Sequence, residues 1–419
     1  MNALSRSLHI LFITLYYPPE MGAPQSRISD LAGRLARRGH SVTVLTGFPN
    51  YPNGIILPEY RGKWRMYEEM NGVHINRSWI YPMANVHLYG RLFNYFSFVF
   101  SSIINSFRCG KPDVIYVESP PLFNGINGYI ISRLKKAPYL FNVADLWPDF
   151  AVELGLLKPG LFLTIASWME WFFYKKSARV ATVTNSLIRR LRDEKHIPEQ
   201  KLVLLTNGAD INMFNQGITA PNIREKLGLS DKFIAGYIGN IGHWQKLETL
   251  IDAALLLSNN PRFHLLIIGD GARKQAVEEY MKTKKTPNVT LLPVQPHEEI
   301  PAYLSILDCA IIPLRHIQCT QQALPVKMFE AMAMAKPIII GASGEAQTLV
   351  EEAEAGISAE PENPHSYAEA IQRLMADNLL CKRFGHNGRK LVEIRFNRDI
   401  LADTLETVLL SMAEEQKNR

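Results

Sequence analysis

Residues 320–341 read TQQALPVKMFEAMAMAKPIIIG. A polar loop leads into a helix that carries Lys327 and Glu330 close to its start. The helix runs on through small residues until Lys336-Pro337 stops it. Ile338, Ile339 and Ile340 then form a buried strand ending in Gly341. Lys327 and Glu330, three apart, share one helix face. At a helix start, backbone N–H groups already favour anions. A lysine and a carboxylate there suit a ligand with both phosphates and hydroxyls, as a nucleotide sugar has. A solvated Lys–Glu pair on an ordinary α/β helix has the same spacing.

Outward from this helix and strand, the chain alternates in the same way. HILFITLYY (9–17) is apolar throughout, like a buried parallel strand. The Pro/Gly loop PPEMGAPQS follows, then the helical period of 26–40 and the strand SVTVLTG (41–47). Further strands are DVIYVES (113–119), APYLFNV (137–143) and ARVATVTN (178–185). The alternation restarts at FIAGYIGNIG (233–242) and continues through RFHLLIIGDG (262–271), NVTLLPV (288–294) and CAIIPL (309–314). Helices fall near 247–258, around EEYMKT and near 297–306. The polar stretch 212–222 has little period and is the expected linker. The pattern predicts two doubly wound α/β domains with parallel sheets, and a ligand site in the cleft between them.

The totals agree with this division. A chain of 419 residues is too long for one core. It is 47% apolar and 21% charged, as a soluble globular protein is. The net charge of +6 is spread out and favours an anionic partner, either a phosphate-bearing substrate or a membrane surface. No basic run is interleaved with aromatics, so a nucleic-acid partner is not expected. Cys109, Cys309, Cys319 and Cys381 form no C-x-x-C pair and no metal-ligand cluster, and fit a reducing cytoplasm. The N-terminal apolar run is short, without a small-residue cleavage site, and reads as the first strand.

GYIGNIGHWQK (236–246) sets three glycines directly after a strand, where backbone N–H groups approach a phosphate closely. Together with VKMFEAMAMAKPII it gives a specific pattern. At these motifs, and at YYPPEMGAPQSRISDLAGRLARRGHSVTVLTGFPNYP, DVIYVESPPLF, NVADLWPD, LLTNGADINMF, LLIIGDG and NGRKLVEIRFNRD, the chain resembles the family 4 glycosyltransferases. Their GT-B fold pairs two facing Rossmann-like domains. The resemblance covers nearly the whole chain. It implies an acceptor domain at 1–210, a nucleotide-sugar domain at 211–397 and a C-terminal helix, about 398–419, packed back on the first. The front half is most similar to the WbuB-like subgroup, described as L-fucosamine (N-acetylfucosamine) transferases of surface-polysaccharide assembly.

The resemblance implies that Glu330 holds the donor ribose hydroxyls, an apt role for a carboxylate facing a cis-diol. Lys246 falls at the family's phosphate-binding lysine. Asn240 stands where many members have arginine, and Lys327 is the substitute cation. The first glutamate of the family's pair is here Gln322, whose amide can still bond sugar hydroxyls. Gly344 and Glu345 match a loop that approaches the donor. Val294 and Gln295 match the region bracketing the base. Gly239 matches the phosphate loop, and Gly22 and Ala23 match the N-domain loop that closes on the diphosphate. Asp145 occupies the acidic position after YLFNV, but Ala144 replaces the histidine common before it. Asp145 equally fits a helix N-cap before Leu146-Trp147-Pro148. Asp145 and Lys246 are the expected catalytic groups.

No D-x-D occurs in the chain, so cations and N–H groups rather than a metal are expected to neutralise the leaving diphosphate, and no cofactor is expected. The resemblance implies retention of anomeric configuration. A nucleotide-sugar 2-epimerase, or an inactive GT-B subunit supporting a partner enzyme, shares the same scaffold. Residues 88–107 hold seven aromatics and read either as a buried helix or as one dipping into a membrane leaflet. SWMEWFFYKKSAR (167–179) combines an aromatic face with Lys175 and Lys176. Phe96, Phe98, Lys175 and Lys176 are the expected contacts to a membrane and a polyprenyl-diphosphate-linked acceptor. The enzyme is expected to be cytoplasmic and peripheral on the inner face of the membrane.

Overall fold

The apolar run at His9 becomes the first strand of a computed structural model that describes residues 7–20, 22–50, 54–82, 88–153, 155 and 157–418. The chain divides into two units. One runs to Thr206 and takes in the chain from Asp399; the other is Asn207–Arg398.

In the first unit, β1 (His9–Ile13), β2 (Ser41–Gly47), β3 (Arg65–Met70), β4 (Val73–Ser78), β5 (Val114–Ser119), β6 (Tyr139–Val143), β7 (Arg179–Thr182) and β8 (Leu202–Leu204) form one sheet. Its order is β3-β4-β2-β1-β5-β6-β7-β8, parallel except for the antiparallel β3–β4 pair. That hairpin is an addition to the strands read from sequence. Its turn is Asn71-Gly72, with φ of 54° and 76°. Two positive φ values make a primed hairpin turn, and Asn-Gly is the dipeptide that tolerates it.

Helix Ala23–Arg37 starts three residues before its apolar period does, with a proline in its first turn. Ile28, Leu31, Ala32 and Leu35 share one helical face and pack on Ile10, Phe12, Val42 and Val44. Helix Arg398–Lys417 adds Leu401, Leu405, Leu409 and Met412 to the same core. Its acidic side pairs with the first helix: Arg38 meets Asp403 at 2.6 Å and Glu406 at 2.7 Å, and Arg34 meets Asp399.

The second unit holds β9 (Phe233–Ile238), β10 (Phe263–Ile268), β11 (Val289–Leu292), β12 (Cys309–Pro313), β13 (Ile338–Gly341) and β14 (Gly356–Ser358). They pair in parallel in the order β11-β10-β9-β12-β13-β14. Residues 212–222 do not link the units. They belong to the second, where Phe214 is fully buried with Ile211, Met213 and Ile218 packed around the same core. Their polarity hid one aromatic anchor.

Helix Val326–Ala333 buries Met328, Phe329, Met332 and Ala333, and Phe329 stacks on Phe396 at 4.5 Å. It ends before Pro337 is reached. Ala335 takes a left-handed φ of 53°, and Lys336 donates to the carbonyls of Ser305 (2.7 Å) and Leu307 (2.8 Å). Lys327 and Glu330 are left on the partly open face.

Candidate functional site

In an open parallel sheet, ligands bind beyond the carboxyl ends of the strands, where the strand order reverses. In the second unit that point lies between β9 and β12. The donor residues predicted in this unit stand on loops at this edge, or on the helices that those loops start. Gly239, Asn240 and Lys246 follow β9, Val294 and Gln295 follow β11, Gln322, Lys327 and Glu330 follow β12, and Gly344 and Glu345 follow β13.

Lys327 Nζ donates to the Tyr237 hydroxyl at 2.6 Å and lies 4.2 Å from the centre of that ring. The hydroxyl in turn donates to the Asn240 carbonyl at 2.5 Å. Gly239, with φ of 145°, leaves the space this ammonium needs; a Cβ there would stand 2.6 Å from Nζ. Burial pushes the Lys327 amine down to about 8, and the Glu330 carboxylate opposes part of that shift. Asn240 itself is exposed.

Glu330 has a side chain 14% exposed, 3.5 Å from His297 Nε2. His297 lies two residues past Gln295 and packs edge-on against Phe214 at 5.8 Å. Val294 is exposed, and Gln295 accepts a hydrogen bond from the Tyr303 hydroxyl at 3.3 Å. The loop after β11 therefore does reach the Glu330 face. Gln322 ends the 3-10 turn Gln318–Gln322, and the neighbouring Gln321 carbonyl stands so close to Gly344 that a Cβ there would collide with it. Gly344 has φ of 84° and precedes helix Glu345–Glu352, with Glu345 in its first turn.

Lys246 was expected to face a phosphate. It pairs with Glu362 at 2.7 Å, and Arg315 lies 3.6 Å from the same carboxylate. Burial works against ionisation of Glu362. Hydrogen bonds from Lys246 and the His316 N–H, with the Lys246 and Arg315 charges, outweigh it and hold the carboxyl below its usual range. His297, Arg315 and Glu362 were missed in the sequence. Each is a single polar residue on a separate loop, and only the sheet order brings them to the predicted residues.

In the first unit the order reverses between β1 and β5. Gly22 caps helix Ala23–Arg37 and is exposed; the Ala23 side chain lies outside the described residues. Four residues past Ala23, Arg27 reaches Glu118 near the end of β5 at 2.5 Å, and both are buried. Glu118 also accepts from Tyr116 and Asn142, each at 2.9 Å. Arg27 Nη1 has no hydrogen-bond partner among the described residues. Asp145 follows β6 and feels this pair. Burial among protein groups raises its carboxyl to about 6, Arg27 opposing and Glu118 adding. The side chain is nonetheless exposed to solvent, so water screens much of that effect.

The membrane residues divide. Phe96 is 48% exposed, whereas Phe98 is fully buried with Leu15, Phe48, Tyr60 and Ile80. Phe98 therefore cannot touch a lipid or an acceptor. Two residues are about 200° apart on a helix, so both cannot share a face. Among the described residues, Phe93, Phe100, Ile104 and Phe107 are the other exposed large apolar groups along this helix, Leu88–Ser106, and just past its end. On helix Leu161–Lys176, Trp168 and Trp171 are exposed, and Lys175 Nζ lies 4.6 Å over the Trp171 ring. Lys176 stands 5.9 Å over Phe172. A chain of ring contacts joins the two helices: Phe96–Phe123 at 4.8 Å, Phe123–Trp147 at 6.1 Å and Trp147–Phe162 at 6.2 Å. Among the described residues no helix is long and apolar enough to cross a membrane.

Two family descriptions match the two units in turn. "Glycosyl transferase 4-like domain" covers residues 22–208 and "Glycosyl transferases group 1" covers 219–391. The chain is a glycosyltransferase of the GT-B fold. This glycosyltransferase is 27% identical to WcaI of Escherichia coli K12, named for colanic acid biosynthesis, over 80% of this chain and 83% of that protein. It is 24% identical to the UDP-Gal:alpha-D-GlcNAc-diphosphoundecaprenol alpha-1,3-galactosyltransferase of Escherichia coli, over 68% of this chain and 73% of that one. Among solved structures, HepE of Anabaena, in complex with UDP and glucose, superposes with a TM-score of 0.72 at 17% identity. That match covers 96% of this chain and all of HepE, and it bears on the fold.

Proposed function

We propose that this glycosyltransferase is a retaining family 4 hexosyltransferase. It moves a sugar, N-acetyl-L-fucosamine or a related hexosamine, from a UDP-linked donor to a lipid-linked saccharide. The product enters a bacterial surface polysaccharide such as O-antigen, lipopolysaccharide or capsule. The observation that carries the donor half is the seat of Lys327. Its ammonium is lodged against Gly239 and Tyr237 at the switch point, one helix turn before Glu330. Glu330 accepts the ribose hydroxyls, and the cations meet the phosphates. The two Escherichia coli relatives are named for polysaccharide or lipid-linked acceptors, which supports the acceptor half.

During transfer the anomeric C–O bond to the diphosphate breaks and the acceptor oxygen bonds the same carbon on the same face. The leaving phosphate oxygen takes the acceptor proton. Negative charge grows on the diphosphate as this happens. Preorganised cations and N–H groups stabilise it without reorganising. Lys246, Lys327, the Gly239 loop and the first turn of helix Glu345–Glu352 supply them, with no metal required. Asp145, an exposed carboxylate just past β6, is the group assigned to the acceptor in this scheme.

The test is Glu330→Ala. UDP affinity should fall by ~1.5–3 kcal/mol per charged hydrogen bond lost. A folded variant that binds UDP as the wild type does removes the donor site from this helix. Transfer assayed in EDTA, with Asp145→Asn alongside, completes the experiment. Activity that needs added Mg²⁺ would rule out the metal-free scheme, and undiminished turnover in Asp145→Asn would remove that residue from the reaction.

A further inference from the structure

Asn240 leaves the loop after β9 with one lysine where two cations are usual, and the sheet supplies another from a different strand. Arg315 follows β12 and Lys246 follows β9, so they flank the switch point. Both turn to one carboxylate. Glu362 Oε1 accepts from Lys246 Nζ at 2.7 Å and lies 3.6 Å from Arg315 Nε. Glu362 Oε2 accepts the His316 backbone N–H at 3.2 Å. The group is held from behind. The Arg315 N–H donates to the Trp244 carbonyl at 2.8 Å, and His316 Nδ1 meets Ser343 Oγ at 3.1 Å, next to Gly344. Glu362 and Lys246 both take left-handed backbone, with φ of 61° and 44°. Residues with side chains seldom do so, and glycine is the usual occupant.

A carboxylate and a phosphate present similar oxygens to the same donors. Where two hydrogen-bond donors and a nearby guanidinium already converge on a carboxylate, a phosphoryl oxygen fits. We propose that Lys246, Arg315 and the His316 backbone N–H form the anion site for the donor's diphosphate, and that Glu362 is a tethered anion filling this site until the donor displaces it. The identity of the ligand rests on the donor reading above; the anion site itself does not. Glu362 competes with every ligand that needs the cation pair and with none that does not. It lowers affinity for diphosphates and leaves affinity for the nucleoside alone.

Isothermal titration of the full chain with UDP, uridine and inorganic pyrophosphate separates the possibilities. Glu362→Gln should bind UDP and pyrophosphate about 5–10-fold tighter at low salt, since a part-exposed ion pair no longer has to open. Uridine affinity should not change. Arg315→Met in the Glu362→Gln background should lose at least that gain. Glu362→Gly relaxes the left-handed backbone; it should fold at least as stably and show the same gain, which covers the case where Glu362→Gln folds poorly. Unchanged or weaker UDP and pyrophosphate binding in both variants overturns the proposal. So does an equal shift for uridine, which would mean that Glu362 only shapes the fold. If the wild type binds pyrophosphate but neither uridine nor UDP, the donor reading fails while the pyrophosphate arm still decides the role of Glu362.

Discussion

Lys327 holds a charge in a place that resists it. Its amine titrates near 8 rather than 10.5, because burial beside Tyr237 and Gly239 disfavours the ammonium more than Glu330 favours it. The sign for folding follows. Between about 8 and 10.5 the unfolded chain binds this proton and the folded chain does not, so this group adds stability as pH rises through that window and nothing below it. Binding runs the other way. A diphosphate needs the ammonium, so UDP affinity should fall as pH rises above about 8, approaching tenfold per pH unit. Lys327→Arg, charged throughout, should abolish that step. Titrations between pH 7 and 9.5 check this, and a flat wild-type profile would mean that Lys327 does not touch the phosphates. Lys327 and Glu330 were legible in sequence because they sit three apart on one helix, so local spacing fixed their geometry. Glu362 lay 116 positions from its partner Lys246, and only the pairing of β12, β13 and β14 brings it there.

The helix Val326–Ala333 does two jobs with eight residues. One face presents Lys327 and Glu330, and the other anchors them through Phe329 and Met332, which are buried without exposure. Phe329→Ala removes a ring that stacks on Phe396, and deleting a buried aromatic costs ~3–5 kcal/mol. Urea unfolding should record that loss in the second unit, and UDP affinity should drop with it because the site rides on the same helix. Full stability in this variant would show that the stack carries no load. Elements of this kind were readable: uniform apolar runs gave β1, β2, β9, β10, β12 and β13 to within a few residues. The β3–β4 hairpin escaped because β3 is part-exposed and rich in charge and β4 alternates apolar with polar residues, so apolar runs do not mark them. Only the Asn-Gly turn signals it.

For the molecule as a whole, the net charge of +6 and the aromatic faces of helices Leu88–Ser106 and Leu161–Lys176 point to one environment. Scattered apolar residues on a surface are ordinary, but contiguous patches of them are not. Here Phe93, Phe96, Phe100, Ile104, Trp168 and Trp171 are exposed on two helices joined by ring contacts, with Lys175 and Lys176 stacked on aromatic neighbours. In sequence the aromatic run looked uniform, and helical period alone separates the exposed Phe96 from the buried Phe98. The rings suit the headgroup boundary and the lysines suit anionic lipid, at ~1 kcal/mol per basic residue near the surface. We therefore expect peripheral binding to a membrane that presents the acceptor. Liposomes with anionic lipid should carry the protein upward in flotation at low salt and release much of it at high salt, as screening removes the electrostatic share. The pair Phe96→Ser and Trp171→Ser should cut flotation while leaving UDP affinity intact, because neither ring lies in the unit proposed to bind the donor. Protein that stays in the soluble fraction at low salt would make these faces a binding site for something other than lipid, and a water-soluble acceptor would then replace the lipid-linked one.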